Sequence, residues 1–187
     1  MSPSDSAVPA NEAEALAALD ELMELPSAEA EIPKYEGLAS DLRSALDDHL
    51  GPVAWETPPT TLVSGMACAE QFSTFEGRSV YVESRAQAGE VAGGDWDAAL
   101  DIVRDVALEH GFDGSIPVAD QGDVRQVVLT AERDATITIY LNTTFGISIE
   151  SGCYLKDVDR ASTEQFGVPD PDRWALLFPD STEIPAP

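Results

Sequence analysis

The chain has 187 residues, 43% of them hydrophobic, with 35 acidic against 10 basic side chains and a formal net charge of −25. That hydrophobic content is enough for a packed core and argues against wholesale disorder, while no apolar run approaches the roughly 20 residues of a membrane span. A field this negative repels nucleic acid and anionic lipid head groups and favours cationic partners, although acids scattered over the chain also serve solubility alone.

Residues 1–10 are small, polar and Pro-containing, and read as a flexible tether. They lack the basic and apolar stretches of a signal peptide, so the chain is either cytosolic or a mature form whose signal has been replaced by Met1. Asn11 and Glu14 then form a capping-box pattern, Leu16, Leu19, Leu22 and Met23 share a helical stripe, and Pro26 ends the run. After a short linker, "SAEAEIP", a second helix is predicted from Pro33 to Leu50, stopped by Gly51 and Pro52. Residues 52–60 are turn-rich and hold at most a short edge strand.

"TLVSGMACAEQF" places Leu62, Met66, Cys68 and Phe72 on one parity of a strand, and "RSVYVESRAQ" reads as the next, with Val80 and Val82 opposite Tyr81. The clearest helix covers 95–110. Asp95 is its expected N-cap, Gly111 its C′ residue, and Trp96, Ala99, Leu100, Val103, Val106 and Ala107 its apolar face. A loop rich in Asp and Gly follows. Three alternating stretches, "VRQVVLTAER", "ATITIYLN" and "FGISIESGC", are separated by short linkers and predict an antiparallel meander. The Pro-rich tail carries a short helical turn, "PDRWALLF", expected to dock Trp174, Leu177 and Phe178.

The expected fold is α+β: an antiparallel sheet of about four to five strands with the 95–110 helix packed on one face and two N-terminal helices. Residues 11–180 are taken as one domain and 181–187 as a disordered tail.

The only cysteines are Cys68 and Cys153. Without a CxxC pair, and with only His49 and His110 besides, a metal site is poorly supported. The surrounding carboxylates would raise a thiol pKa, which disfavours a nucleophile. Two buried free thiols remain open. A bridge fits better and would place the protein outside the reducing cytosol.

Taken in order, the cysteine-bearing first strand, the helix "DWDAALDIVRDVALEHGF" and the closing "SGCYL" resemble the LppA-like lipoproteins of actinobacteria. The resemblance covers about residues 61–156. It implies an exported, lipid-anchored, non-enzymatic envelope domain with Cys68 and Cys153 bridged. No lipobox is present; the acylated cysteine would lie just before residue 2, where Met1 stands.

Other motifs weigh little. Asp157, Asp159 and Glu164 have a loose calcium-like spacing but lack the glycine and bidentate glutamate of a calcium loop. Ser64 is not in a G-x-S-x-G elbow, and "GEVAGGDW" lacks both the G-x-G-x-x-G order and a phosphate-binding lysine. Asn142 opens "NTT", a glycosylation-like triplet in a hairpin loop. Trp55, Trp96 and Trp174 read as core or cap residues.

No catalytic residue, metal or cofactor is expected. The functional expectation is a non-enzymatic extracytoplasmic domain that binds or scaffolds at the cell envelope, through an unknown protein or an amphiphilic ligand. It would touch the membrane only through a lipid anchor and would not bind nucleic acid. The alternatives are an acidic inhibitor or decoy of a cationic partner, and a carboxylate-based hydrolase.

Overall fold

The computed structural model describes residues 11–56, 59–64, 68, 77–87, 95–121 and 124–180. The chain divides into two compact units, one of Met1–Glu31, Val63–Ser79 and Cys153–Pro187, the other of Ile32–Leu62 and Val80–Gly152.

The first unit is built from helices. Helix α1 runs Glu12–Met23, and Asn11 caps it as expected, its side-chain oxygen accepting the Glu14 N–H at 3.0 Å. Helix α2 runs Ala28–Leu50, with only Ala28–Glu31 in this unit and the rest in the other, and begins five residues before the Pro33 signal. Ser27 supplies the reason: its hydroxyl accepts the Ala30 N–H at 3.2 Å. Pro33 then lies inside the helix, where it lacks the N–H that would reach back one turn. Helices α4, Asp157–Phe166, and α5, Pro171–Leu177, complete the unit.

Helix α4 stands in the C-terminal stretch of the expected domain, where the sequence predicts no element before "PDRWALLF". Val158 and Phe166 are exposed and only Thr163 is buried, so no apolar stripe announces it. Its signals are polar: acids in the first turn, and Gly167 at the C-cap with φ +78°. Helix α5 docks Trp174 as expected, whereas Leu177 is left 44% exposed, a correction to its predicted docking.

The small core here comprises Ala15, Leu19, Leu22, Cys153, Leu155, Val168 and Trp174. Around it, side chains fasten distant segments. Arg160 donates to the carbonyls of Leu22 and Met23, at 3.3 and 3.1 Å, and to that of Leu25. These carbonyls stand at and just beyond the end of α1, where backbone donors run out; that of Leu22 also accepts the Leu25 N–H at 3.3 Å. Trp174 Nε1 donates to Glu12 at 3.0 Å, Tyr154 to Glu31 at 3.2 Å, and the Asp157 N–H to Glu29 at 2.9 Å.

The second unit is a sheet with helices on its apolar side. Strands β1 (Thr60–Ser64), β2 (Ser79–Gln87), β3 (Gly114–Gln121), β4 (Val124–Thr130), β5 (Thr136–Leu141) and β6 (Thr144–Glu150) form one six-stranded sheet in the order β1-β2-β6-β5-β4-β3. The fold is α+β with an antiparallel sheet, as the alternation predicts, with six strands among the described residues where about four to five are expected. The addition is β3, which falls in the stretch whose Asp and Gly content predicts a loop. Proline is tolerated where one side of a strand is unpaired, and β3 stands at the edge, with its register shifted between Pro117 and Ala119.

Val80, Val82 and Ala86 of β2, Val127 and Leu129 of β4, Ile137, Ile139 and Leu141 of β5, and Phe145, Ile147 and Ile149 of β6 face one core. Leu38, Leu42 and Leu46 of α2 meet it, as do Trp96, Ala99, Leu100, Val103 and Ala107 of helix α3, Trp96–Glu109. Asp95 holds the N-cap position of α3 but makes no side-chain cap bond, contrary to expectation. At the other end Gly111 adopts φ +86°. The Gly111 N–H reaches the Leu108 carbonyl and the Phe112 N–H that of Ala107, a Schellman closure over buried Phe112.

The expected first strand is shorter than its parity pattern. β1 stops at Ser64, so Cys68 lies beyond it, while Met66 and Phe72 fall outside the described residues. Cys153 likewise follows β6 rather than ending it. The pair is nonetheless joined, Cys68 to Cys153, with Cα atoms 5.3 Å apart.

Candidate functional site

Alternation along β2 turns Tyr81, Glu83 and Arg85 to the face opposite the core. The pairing sets Glu83 beside Ser148 and Arg85 beside Gly146 of β6, and Gly146 beside Tyr140 of β5. Here a carboxylate that is only 9% exposed gathers partners from two strands. Arg85 Nη2 lies 2.7 Å from Glu83 Oε2, and the Tyr140 hydroxyl donates to Glu83 Oε1 at 2.7 Å.

Tyr140 and Glu83 are on strands separated by β6, so the tyrosine has to cross that strand. Gly146 makes the crossing possible. A Cβ there would lie 2.2 Å from the Tyr140 Cζ, well inside contact distance. The ring is laid over the glycine, a use of glycine in a strand that trades local rigidity for close approach.

The charges of the cluster follow from this packing. Burial opposes the charge on Glu83, but hydrogen bonds from Arg85 and Tyr140, together with the Arg85 charge, outweigh it and hold the carboxyl below its ordinary value. Burial first, then the Glu83 hydrogen bond and charge, pushes Tyr140 up to about 12. Burial and the Glu83 charge also raise Tyr81, whose hydroxyl is bonded to Ser148 and Glu83. The hydrogen bond to Glu83 and its charge raise Arg85. Glu83 is therefore ionised at neutral pH with both oxygens engaged. It is a poor general acid, which requires a raised carboxyl pKa.

The residues singled out from sequence are placed elsewhere. Asp157 and Asp159 fall in the first turn of α4, a helix rather than a calcium loop. His49 Nδ1 is 2.8 Å from the Ala45 carbonyl one turn back, and His110 Nε2 is 3.5 Å from Asp41. Asn142 accepts the Thr144 N–H at 2.8 Å, the bond of a tight turn between β5 and β6. Trp96 and Trp174 are buried, while Trp55 rests against Phe145 and donates to Asp47 at 3.0 Å. The side chain of Ser64, most of the glycine-rich stretch before α3, and the segments 1–10 and 181–187 lie outside the described residues. Among the described residues, no group of three or more His, Cys, Asp or Glu could hold a metal ion, and no helix is long and apolar enough to cross a membrane.

An α+β protein built on one antiparallel sheet, with a covalent bridge following its last strand, is the class that these features define. Residues 3–157 match the family model of LppA, described as a lipoprotein confined to pathogenic Mycobacterium. The chain belongs to the LppA lipoprotein family. The crystal structure of LppA from Mycobacterium tuberculosis is similar in fold, with a TM-score of 0.57 at 13% identity over 75% of this chain and 85% of that one. A DUF4853 family protein from Actinomyces odontolyticus has a TM-score of 0.45 at 15% identity, over 80% of this chain and 81% of that one. No curated protein matches the chain.

Proposed function

We propose that this is an extracytoplasmic domain, held at the cell envelope by an N-terminal lipid, which acts by binding and not by catalysis. The observation that carries the reading is the Cys68–Cys153 bridge in a chain of a family described as lipoproteins. Such bridges persist outside the reducing cytosol. The binding part draws support from Glu83, whose carboxylate is held ionised and fully paired, as a recognition surface can use and a general acid cannot.

The test is expression of the natural gene in a mycobacterial host, followed by fractionation, thiol titration under denaturing non-reducing conditions, and mass measurement of the N-terminal peptide. An acylated N-terminus in the membrane fraction with no free thiol is the expected result. A cytosolic product with two free thiols overturns it.

A second reading, an acidic decoy for a basic protein, is favoured by the net charge of −25. Titration against lysozyme at rising salt checks it: a charge-driven complex weakens steeply with screening, and absence of binding at low salt removes the reading.

A further inference from the structure

Across β2, β6, β5 and β4 the strand registers line up Arg85, Gly146, Tyr140 and Gln126 in one row, and Glu83, Ser148, Thr138 and Val128 in the next. On the face away from the core this sets together an aromatic ring, a guanidinium 52% exposed, a carboxylate, an amide and two hydroxyls. The cation and the anion neutralise each other at 2.7 Å. A locally neutral patch therefore stands in a chain of net charge −25.

From this juxtaposition we infer that the Arg85–Tyr140–Glu83 patch binds an uncharged saccharide, an inference that deepens the proposed envelope-binding role by naming its ligand class. Each competing chemistry meets an obstacle. An anionic ligand is repelled by the field of the whole molecule. A cationic one meets the Arg85 guanidinium, which lies 2.7 Å from Glu83 and already neutralises the one carboxylate of the pair. An apolar ligand would strip water from the exposed Arg85 guanidinium without replacing its hydrogen bonds. A neutral sugar suits all three features. Its C–H face packs on the Tyr140 ring, and its hydroxyls exchange hydrogen bonds with Arg85, Gln126 and Thr138 as water does. Gly146 contributes by seating the ring across the strand, where a side chain would have lifted it.

The test is two-dimensional NMR of the intact disulfide-bonded protein against four probes: the neutral trisaccharides of mannose and of N-acetylglucosamine, a glucuronate-bearing trisaccharide, and a glucosamine trimer carrying free ammonium groups. At least one neutral probe should shift the amides of 81–85, 126–128, 138–140 and 146–148, saturating by about 10 mM. Arg85→Gln and Tyr140→Leu should each weaken that binding roughly tenfold. Tyr140→Phe, which keeps the ring, retains most of it and separates loss of the platform from loss of the fold. Three outcomes overturn the inference: no neutral probe shifting those amides, charged probes alone doing so, or unchanged affinity in a folded Arg85→Gln variant. None of these bears on the lipid anchor, which the thiol and mass measurements test separately.

Discussion

The two units of this chain solve the same problem by opposite means. The sheet unit has a broad apolar core and a ladder of backbone hydrogen bonds, so its stability is spread over many equivalent contacts. The helical unit has a core of a few side chains and is assembled from segments far apart in sequence. It is held by discrete fastenings: a disulfide, one arginine on the carbonyls at the end of α1, and single hydrogen bonds such as Trp174 to Glu12. The difference shows that where burial is scarce, covalent and charge-assisted links take over what packing does elsewhere.

The sharpest way to break the contrast is to remove the bridge. It closes a separation of 85 residues. Replacing both Cys68 and Cys153 by serine should cost about 4–5 kcal/mol by loop entropy. Hydrogen exchange should accelerate in α1, α4 and α5 while the central strands stay protected. Equal acceleration in β5 and β6 would show instead that the units unfold as one block.

The complementary cut is Leu100→Ala in α3, at a site packed in the sheet's core. It should cost about 2–5 kcal/mol in denaturant melts. A loss under half a kilocalorie, on the order of a surface substitution, would place α3 outside the core. Next comes Arg160→Met, which removes the donors to Leu22, Leu25 and Met23. About 1.5–3 kcal/mol should be lost, the range for hydrogen bonds to a charged group, with exchange rising first at the end of α1. No change there would mean that water replaces the guanidinium without penalty.

The smallest effect belongs to the sheet's polar face. Tyr140 holds its proton more tightly folded than unfolded, so its contribution is complete below its ordinary value of 10.0 and is lost as pH rises from there through about 12. Glu83 has the opposite sense: its lowered value stabilises above the ordinary carboxylate value of 4.5, and that contribution is lost as pH falls through the folded value. Tyrosinate absorbance checks the first. Tyr140 and Tyr81 should both ionise late in wild type, and in Glu83→Gln the delay should shrink without vanishing, because burial is its first cause.

Much of the sheet unit could be read from residues alone, because strand alternation and the stripe of α3 are direct records of burial. Val80, Val82, Ile137, Ile139, Phe145 and Ile147 all face the core as their parity indicates. The helical unit was harder. Helix α4 carries its burial on Thr163 alone, and the start of α2 depends on a serine cap before a proline that looks like a beginning. Edge strand β3 hides for a related reason, since a strand with one free side need not avoid proline. The polar cluster left no local signature. Glu83, Arg85, Gly146 and Tyr140 belong to three strands, and only the register of β2 on β6 and of β6 on β5 brings them together.

The interleaving of the two units also fixes an order of events during synthesis. Every segment of the sheet unit has been made once Gly152 is added, whereas the helical unit waits for Cys153 and the residues beyond it. A chain emerging from its N-terminus can thus complete the sheet while Cys68 is still without its partner. Cys68 has no disulfide partner within the chain over that interval, so the bridge can form only after every segment of the sheet unit has been made. An export route that delivers oxidant too early would capture Cys68 in a mixed disulfide with another molecule, and the helical unit would be the part that fails to form.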